Sequence, residues 1–291
     1  MTNSNEFDFR EEKNKIENGV LYLVATPIGN MSDISERALK VLEGVDFVAA
    51  EDTRNSGKLL SYFGIKQSFV SYHEHNKAEV GQRIVERLLG GESCALVTDA
   101  GMPAISDPGE DLVKLCSDKG VKVTCVTGAC ALTTALVLSG LDTRRFSFEG
   151  FLKGTNSEKN AFLNEIKDES RTLIFYEAPH KLKSTLECMY AVLGDRKIAL
   201  CRELTKINEE INRTTLSEAV ALYSSKEPRG EYVLIVEGAL RKTTDDWSSL
   251  SVDEHIEFYV KTGMSKMDAI KKVAKDRGVP KGEIYKLTIN K

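Results

Sequence analysis

The sequence predicts an α/β fold: two α/β domains followed by a small C-terminal helical module. Three observations lead there. From Val20 to Glu237, short apolar runs alternate with amphipathic stretches, the pattern of sheets covered by helices. Turns rich in Gly and Pro close the apolar runs, above all Val97-Thr98-Asp99-Ala100-Gly101-Met102-Pro103-Ala104-Ile105-Ser106-Asp107-Pro108-Gly109. Such turns free backbone amides and carbonyls from ladder pairing, so they can face a small molecule. Beyond residue 242 the composition turns polar and then basic, as at a linker leading to an appendage. A length of 291 residues suits two compact domains plus such a module.

Residues 1–18 are polar and lack a signal-peptide apolar core, so a mobile tail is expected. Val20 to Ala25 reads as a strand buried on both faces. It breaks at Thr26-Pro27-Ile28-Gly29-Asn30, after which Asp33 and Glu36 are expected to form a capping box for a helix through Leu42. Asp46 to Ala50 is the next strand and ends at Glu51-Asp52-Thr53-Arg54. A helix over 55–63, a strand over Ser68 to Tyr72, and an amphipathic helix from Ala78 to Leu89 lead to the strand Cys94 to Val97. The long turn that follows passes into a helix over 110–119, with Asp107 as its N-cap, Pro108 in its first position and Glu110 completing a capping box. Strand Val121 to Val126 and Thr127-Gly128-Ala129-Cys130 then open an apolar helix.

Gly140 to Thr143 marks the hinge, so the first domain spans 19–140 and the second 141–241. The second half reads as strands at 146–150, 171–176, 197–201 and 231–237, with helices at 157–167, 180–193 and 215–224 and an edge pairing over 208–213. Its short strands and frequent turns predict some antiparallel pairing. The module over 242–291 carries helices near 253–261, 265–277 and 281–287, the last two separated by Gly278-Val279-Pro280. That arrangement is either helix-turn-helix-like or a solvated cap.

Composition excludes several classes. Apolar residues at 41% and charged residues at 29% are ordinary for a globular protein. The apolar run from Ala129 to Leu138 falls far short of the roughly 20 residues that cross a bilayer. No Cys-x-x-Cys pair occurs among the six cysteines, which read as reduced and structural with no metal framework. A cytoplasmic location with no membrane partner is expected. Net charge is −4, yet from Lys261 to Lys291 the bases Lys261, Lys266, Lys271, Lys272, Lys275, Arg277, Lys281, Lys286 and Lys291 face only Asp268, Asp276 and Glu283. A basic end on an acidic body suits an approach to phosphates.

Five motifs stand in order: Thr26-Pro27-Ile28-Gly29-Asn30, Ala50-Glu51-Asp52-Thr53-Arg54, Asp99-Ala100-Gly101-Met102-Pro103 with Ser106-Asp107-Pro108-Gly109, Phe175-Tyr176-Glu177-Ala178-Pro179-His180, and Arg202-Glu203-Leu204-Thr205-Lys206. Together they resemble the bacterial small-subunit ribosomal RNA 2′-O-methyltransferases of the tetrapyrrole methylase superfamily. The resemblance runs from about Gly19 to Gly238 and extends to the basic tail. It implies S-adenosyl-L-methionine in a cleft between two α/β domains and methylation of a cytidine 2′-hydroxyl in the decoding centre of 16S ribosomal RNA, by a homodimer acting on the small ribosomal subunit. The pocket residues it carries over are Pro27, Asp99, Ala100, Gly101, Pro103, Ile105, Ser106, Cys130, Ala131, Tyr176, Leu204, Gly230 and Glu231. Where the family usually has Pro-Gly-Pro-Ser or Pro-Gly-Pro-Cys, this chain has Thr127-Gly128-Ala129-Cys130, without the two stiffening prolines. Arg229 replaces a common lysine and keeps its charge.

In-line methyl transfer demands positioning, which can supply roughly 7 to 11 kcal/mol. The hydroxyl must also lose a proton, and Glu51, Asp52, His73 and His75 are the candidates to take it, with Arg54 beside them. Asp52 reads equally as a helix cap. His73-Glu74-His75 reads as polar cleft surface or as two metal ligands lacking a third. Arg54, Arg202 and Lys206 are candidate phosphate or ribose contacts, although Arg202-Glu203 also reads as an internal ion pair. The alternatives to an RNA methylase are a tetrapyrrole-precursor C-methyltransferase and a non-catalytic RNA-binding assembly factor.

Overall fold

The computed structural model describes residues 15–240, 247 and 250–289. Most of the expected tail and of the expected linker lies outside these residues. The chain forms two compact units, Met1–Gly238 and Ala239–Lys291.

The first unit holds two α/β domains, each built on one five-stranded sheet. In the first sheet β1 (Val20–Val24), β2 (Phe47–Ala50), β3 (Phe69–Ser71), β4 (Cys94–Val97) and β5 (Lys122–Val126) lie in the order β3-β2-β4-β1-β5, and every pairing is parallel. The continuous apolar runs of β1, β2 and β4 are explained by helices on both faces. Val20, Tyr22 and Val24 pack with Val41 and Leu42 of α1 (Glu36–Gly44) and Leu60 of α2 (Thr53–Tyr62). Leu21 packs on the other face with Ile84 and Leu88 of α3 (Lys77–Leu89) and Leu112 of α4 (Gly109–Asp118). Because all five strands run one way, the turns after β1, β2, β4 and β5 emerge at one edge, where open α/β sheets bind ligands.

The second sheet has the order β6-β7-β10-β8-β9, from β6 (Phe146–Phe151), β7 (Thr172–Glu177), β8 (Lys197–Arg202), β9 (Glu210–Thr215) and β10 (Tyr232–Val236). Only β6 and β7 are parallel; the other three pairings are antiparallel, as the short strands predicted. The edge pairing expected over 208–213 is a full six-residue strand, β9. One face of the sheet packs on α6 (Asn156–Glu165), α7 (Pro179–Leu193) and α8 (Leu216–Ser225) through Leu163, Leu186, Met189 and Leu216. The other face receives α5 (Ala131–Ser139), whose Leu132, Ala135 and Leu136 meet Ile174, Ala199 and Ile235. Ile28 and Ile105, from the turns of the first sheet, join that cluster. The apolar helix that precedes Gly140 therefore belongs to the core of the second sheet.

Two helix starts differ from the sequence reading. Ser35, not Asp33, caps α1 by accepting from the Ala38 amide, and Met31–Asp33 is a separate 3-10 turn capped by Asn30. Asp107 does not form a capping box with Glu110: α4 begins at Gly109, with Pro108 in the cap position and no side-chain cap. The competing interaction is local, because the Asp107 carboxylate is committed to its own loop.

The second unit packs α9 (Val252–Lys261), α10 (Lys266–Asp276) and α11 (Lys281–Ile289) around Ile256, Ile270, Val273 and Ile284. Trp247 stacks on buried His255 with ring centroids 3.5 Å apart. Ser251 and Ser265 cap α9 and α10. Among the described residues no helix is long and apolar enough to cross a membrane.

Candidate active site

A cleft of about 590 Å³ opens where the edge turns of the first sheet face the second sheet. Its first wall is the turn after β4. Thr26 and Gly101 form an isolated antiparallel bridge, with N···O distances of 2.9 and 3.1 Å, which ties the turn after β1 to the turn after β4. Gly101 has φ of +86°, a conformation open to glycine. Farther along, Ala104 and Ser106 sit at φ of +67° and +65° without being glycine. Such residues persist only where their surroundings hold them. Asp107 is that holder: Oδ1 accepts from the amides of Gly109 (2.7 Å) and Ala104 (3.1 Å), and Oδ2 from that of Ile105 (3.0 Å). Tyr72 donates to the Pro108 carbonyl at 2.9 Å and pins the end of the loop. At the end of β5, a Cβ on Gly128 would lie 2.9 Å from that of Ala25, so close packing fixes this turn where the prolines are missing.

The opposite wall comes from the second sheet. Tyr176 points away from the α6–α7 core toward α5, and Phe148 and Phe151 meet its ring edge-on at 4.9 and 5.6 Å. Burial pushes its phenol up to about 12, so it acts as a neutral wall. The neighbouring Glu177 is buried on the α7 side, accepting from the Ala178 amide (2.9 Å) and the Thr185 hydroxyl (2.5 Å). Leu204 and the ion-paired Glu203 and Lys206 complete this side.

The carboxylates divide sharply. Glu51 lines the cleft, and although its side chain reaches solvent, desolvation by the cleft, then the charges of Asp99 and Asp107, raise its pKa. Asp52 points elsewhere: it caps α2 by accepting from the Arg54 amide at 2.8 Å and holds the Arg54 guanidinium at 2.8 Å. That pairing lowers its pKa to about 2. Asp99 lines the cleft and accepts from Asn55 of α2 at 3.2 Å.

A family model for Tetrapyrrole (Corrin/Porphyrin) Methylases matches residues 20–220. The chain belongs to this family. Among the relatives of this tetrapyrrole methylase, the Ribosomal RNA small subunit methyltransferase I of Halalkalibacterium halodurans is 47% identical over 99% of both chains. The protein of the same name from Bacillus subtilis is 47% identical over 93% of this chain and 94% of its own. The fold is shared with solved structures at lower identity. The uroporphyrin-III-C-methyltransferase of Thermus thermophilus superposes with a TM-score of 0.55 at 19% identity, over 75% of this chain and 94% of that one. A diphthine synthase does so with 0.59 at 18% identity, over 75% and 90%.

Within this methylase the expected cofactor residues Asp99, Ala100, Gly101, Ile105, Ser106, Cys130, Ala131, Tyr176, Leu204 and Glu231 all line the cleft. Pro27 and Pro103 are buried behind it and shape its turns, and Gly230 adjoins it. Of the expected proton acceptors only Glu51 lines it. His73 and His75 stand after β3 with rings 6.0 Å apart, and the His73 Nδ1 is buried without a hydrogen-bond partner among the described residues. Arg202 pairs with Glu210 at 2.9 Å rather than with Glu203. Sequence reasoning missed Glu203 and Ile28 as cleft residues, and Asp107 as more than a cap. Glu203 and Ile28 lie inside motifs already singled out, so the motif boundaries held the signal while side-chain direction did not.

Proposed function

We propose that the protein transfers a methyl group from S-adenosyl-L-methionine to the ribose 2′-hydroxyl of a cytidine in 16S ribosomal RNA, within the small ribosomal subunit. The observation that carries this reading is the near full-length kinship, at 47% identity, to proteins named Ribosomal RNA small subunit methyltransferase I. The cleft supports the cofactor. Its volume lies in the range of small-molecule sites. Its apolar side chains, Ile28, Ile105, Leu204 and Val233, suit an adenine, and the irregular backbone of Asp99–Gly101 with the Asp99 carboxylate suits ligand hydroxyl and amino groups. When bound, S-adenosylmethionine supplies an electrophilic methyl group on a sulfonium.

The chain's own contribution is to hold, to exclude water and to accept a proton. In this reading Tyr176 and the 98–109 turn bracket the cofactor, and Glu51 takes the proton of the ribose hydroxyl, its raised pKa making it a better acceptor than an ordinary carboxylate. Asp52 is a cap. Arg54, whose side chain is 85% exposed, is the motif cation most open to an RNA phosphate, since Arg202 and Lys206 are engaged internally. The motif resemblance also supports a homodimeric, cytoplasmic enzyme. Labelled S-adenosylmethionine supplied with undermethylated small subunits, or with uroporphyrinogen, tests the reading. We expect label on a ribose of the 16S RNA; label in the porphyrin, or none despite bound cofactor, would overturn it.

A further inference from the structure

Lys206 is not arranged as a free cation. Its ammonium lies 3.0 Å from Glu203 Oε1 and 3.1 Å from Glu231 Oε2. The same Glu203 oxygen accepts from the Glu231 amide at 3.0 Å. The side chain of Glu203 is 19% exposed and that of Glu231 78%, so Glu203 is the partner less screened by water. Burial alone would push the Glu203 carboxyl up; the Glu231 amide and Lys206 outweigh it and hold it below the usual range.

The backbone around the pair is bent to make it. Glu203 and Thr205 have φ of +51° and +65°, left-handed values that side chains disfavour. Two glycines far apart in the chain close on the pair with no room for one more carbon. A Cβ on Gly230 would lie 2.6 Å from the Glu203 carboxylate, and a Cβ on Gly29 would lie 2.4 Å from Lys206 Cγ and 2.9 Å from Thr205 Oγ1. Next to Gly29, the Asn30 amide donates to that same Thr205 oxygen at 3.0 Å. Gly29 and Asn30 follow β1 of the parallel sheet, whereas Glu203 and Lys206 follow β8 and Glu231 precedes β10 of the mixed sheet.

We infer that Glu203 is a positioning residue: by holding Lys206 and the Glu231 amide, it buckles the Thr26–Asn30 turn to the mixed sheet and sets the width of the cleft. The assignment gives Lys206 the role of a strut in place of an RNA contact. It also explains why Gly29 stands where any side chain would collide with the Lys206 stem. Its functional consequence rests on the cofactor reading of the cleft above.

The test compares full-length E203Q, K206M and K206R with the parent by hydrogen exchange, and by calorimetric titration with S-adenosylhomocysteine. In E203Q and K206M we expect exchange of the peptide bearing Asn30 to rise about tenfold, although neither substitution is in its domain, while peptides of β4 and α3 keep their protection. Affinity for S-adenosylhomocysteine should fall about tenfold, as for a lost hydrogen bond to a charged group, and K206R should restore both readouts. Unchanged protection at Asn30 in both variants overturns the inference. So does protection lost equally across the parallel sheet, which would report general destabilisation. If the parent protein takes up no S-adenosylhomocysteine, the cofactor reading falls, and the exchange comparison by itself decides the buckle.

Discussion

At the scale of single residues, neighbouring acids have been given opposite work by what surrounds them. Glu51 and Asp52 are adjacent, yet the pKa of one is raised by desolvation and by Asp99 and Asp107, while that of the other is drawn down to about 2 by Arg54. Folding raises the pKa of Glu51 above its usual 4.5, so its favourable contribution to stability is full below that value and is lost as pH rises through the folded pKa. E51Q should therefore melt above the parent at pH 7 and level with it near pH 4, as thermal unfolding at the two values will show. The same substitution should lower the methylation rate by about 10² to 10⁴-fold with little change in cofactor affinity, and the parent's rate should fall as pH drops through the raised pKa. Steady-state rates across pH check this. Asp52, by contrast, should be replaceable: D52N should keep most of the rate, while D52A should cost about 1 kcal/mol in urea unfolding through loss of the α2 cap. The sequence offered the cap as one of two readings of Asp52 but did not choose between the two acids, which follow the same strand, because the direction of a side chain after a strand end depends on what the next helix requires.

At the scale of elements, the helices stand where the hydrophobic pattern put them, while the residues that cap them were read less well: Ser35 takes the place expected for Asp33. Ser35, Ser251 and Ser265 cap helices, and Thr155 of α6 forms a full capping box with Glu158; none of these caps was singled out in the sequence. T155A should lower stability by about 1 kcal/mol, seen as a reduced urea midpoint with an unchanged slope. The rule failed again at Asp107, which fits a cap in sequence but spends both oxygens on the amides of Ala104, Ile105 and Gly109. Three backbone donors in a loop containing two left-handed non-glycine residues outcompete a capping box whose partner lies on the adjoining helix. Glu203 repeats the device on the opposite wall, where one carboxylate again holds a backbone amide beside left-handed residues.

At the scale of the whole molecule, basic residues outnumber acidic ones over residues 261–291, although the chain as a whole carries a net charge of −4. There Lys271 pairs with Asp268 and Lys272 with Asp276, while Lys266, Lys275 and Lys286 have no such ion pair among the described residues. Removing residues 242–291 should weaken binding to small subunits and flatten its salt dependence by about 0.7 to 0.9 for each RNA phosphate no longer neutralised, while cofactor titration stays unchanged. Equal subunit affinity before and after the deletion would contradict this role. The alternation of apolar runs and helices, the parallel first sheet and the partly antiparallel second were all determined by the sequence itself, because burial of both faces or of one writes itself into local hydrophobic pattern. The motif turns were equally legible, since Gly and Pro restrict the backbone wherever they stand. Only the tertiary structure decided that α5 packs on the second sheet, that Glu51 rather than Asp52 meets the cleft, and that Gly29 makes way for Lys206. Those outcomes rest on residues as much as 177 positions apart in the chain, from Gly29 to Lys206, meeting in the fold. No local pattern records such meetings, because packing and charge act through space once the two sheets face each other.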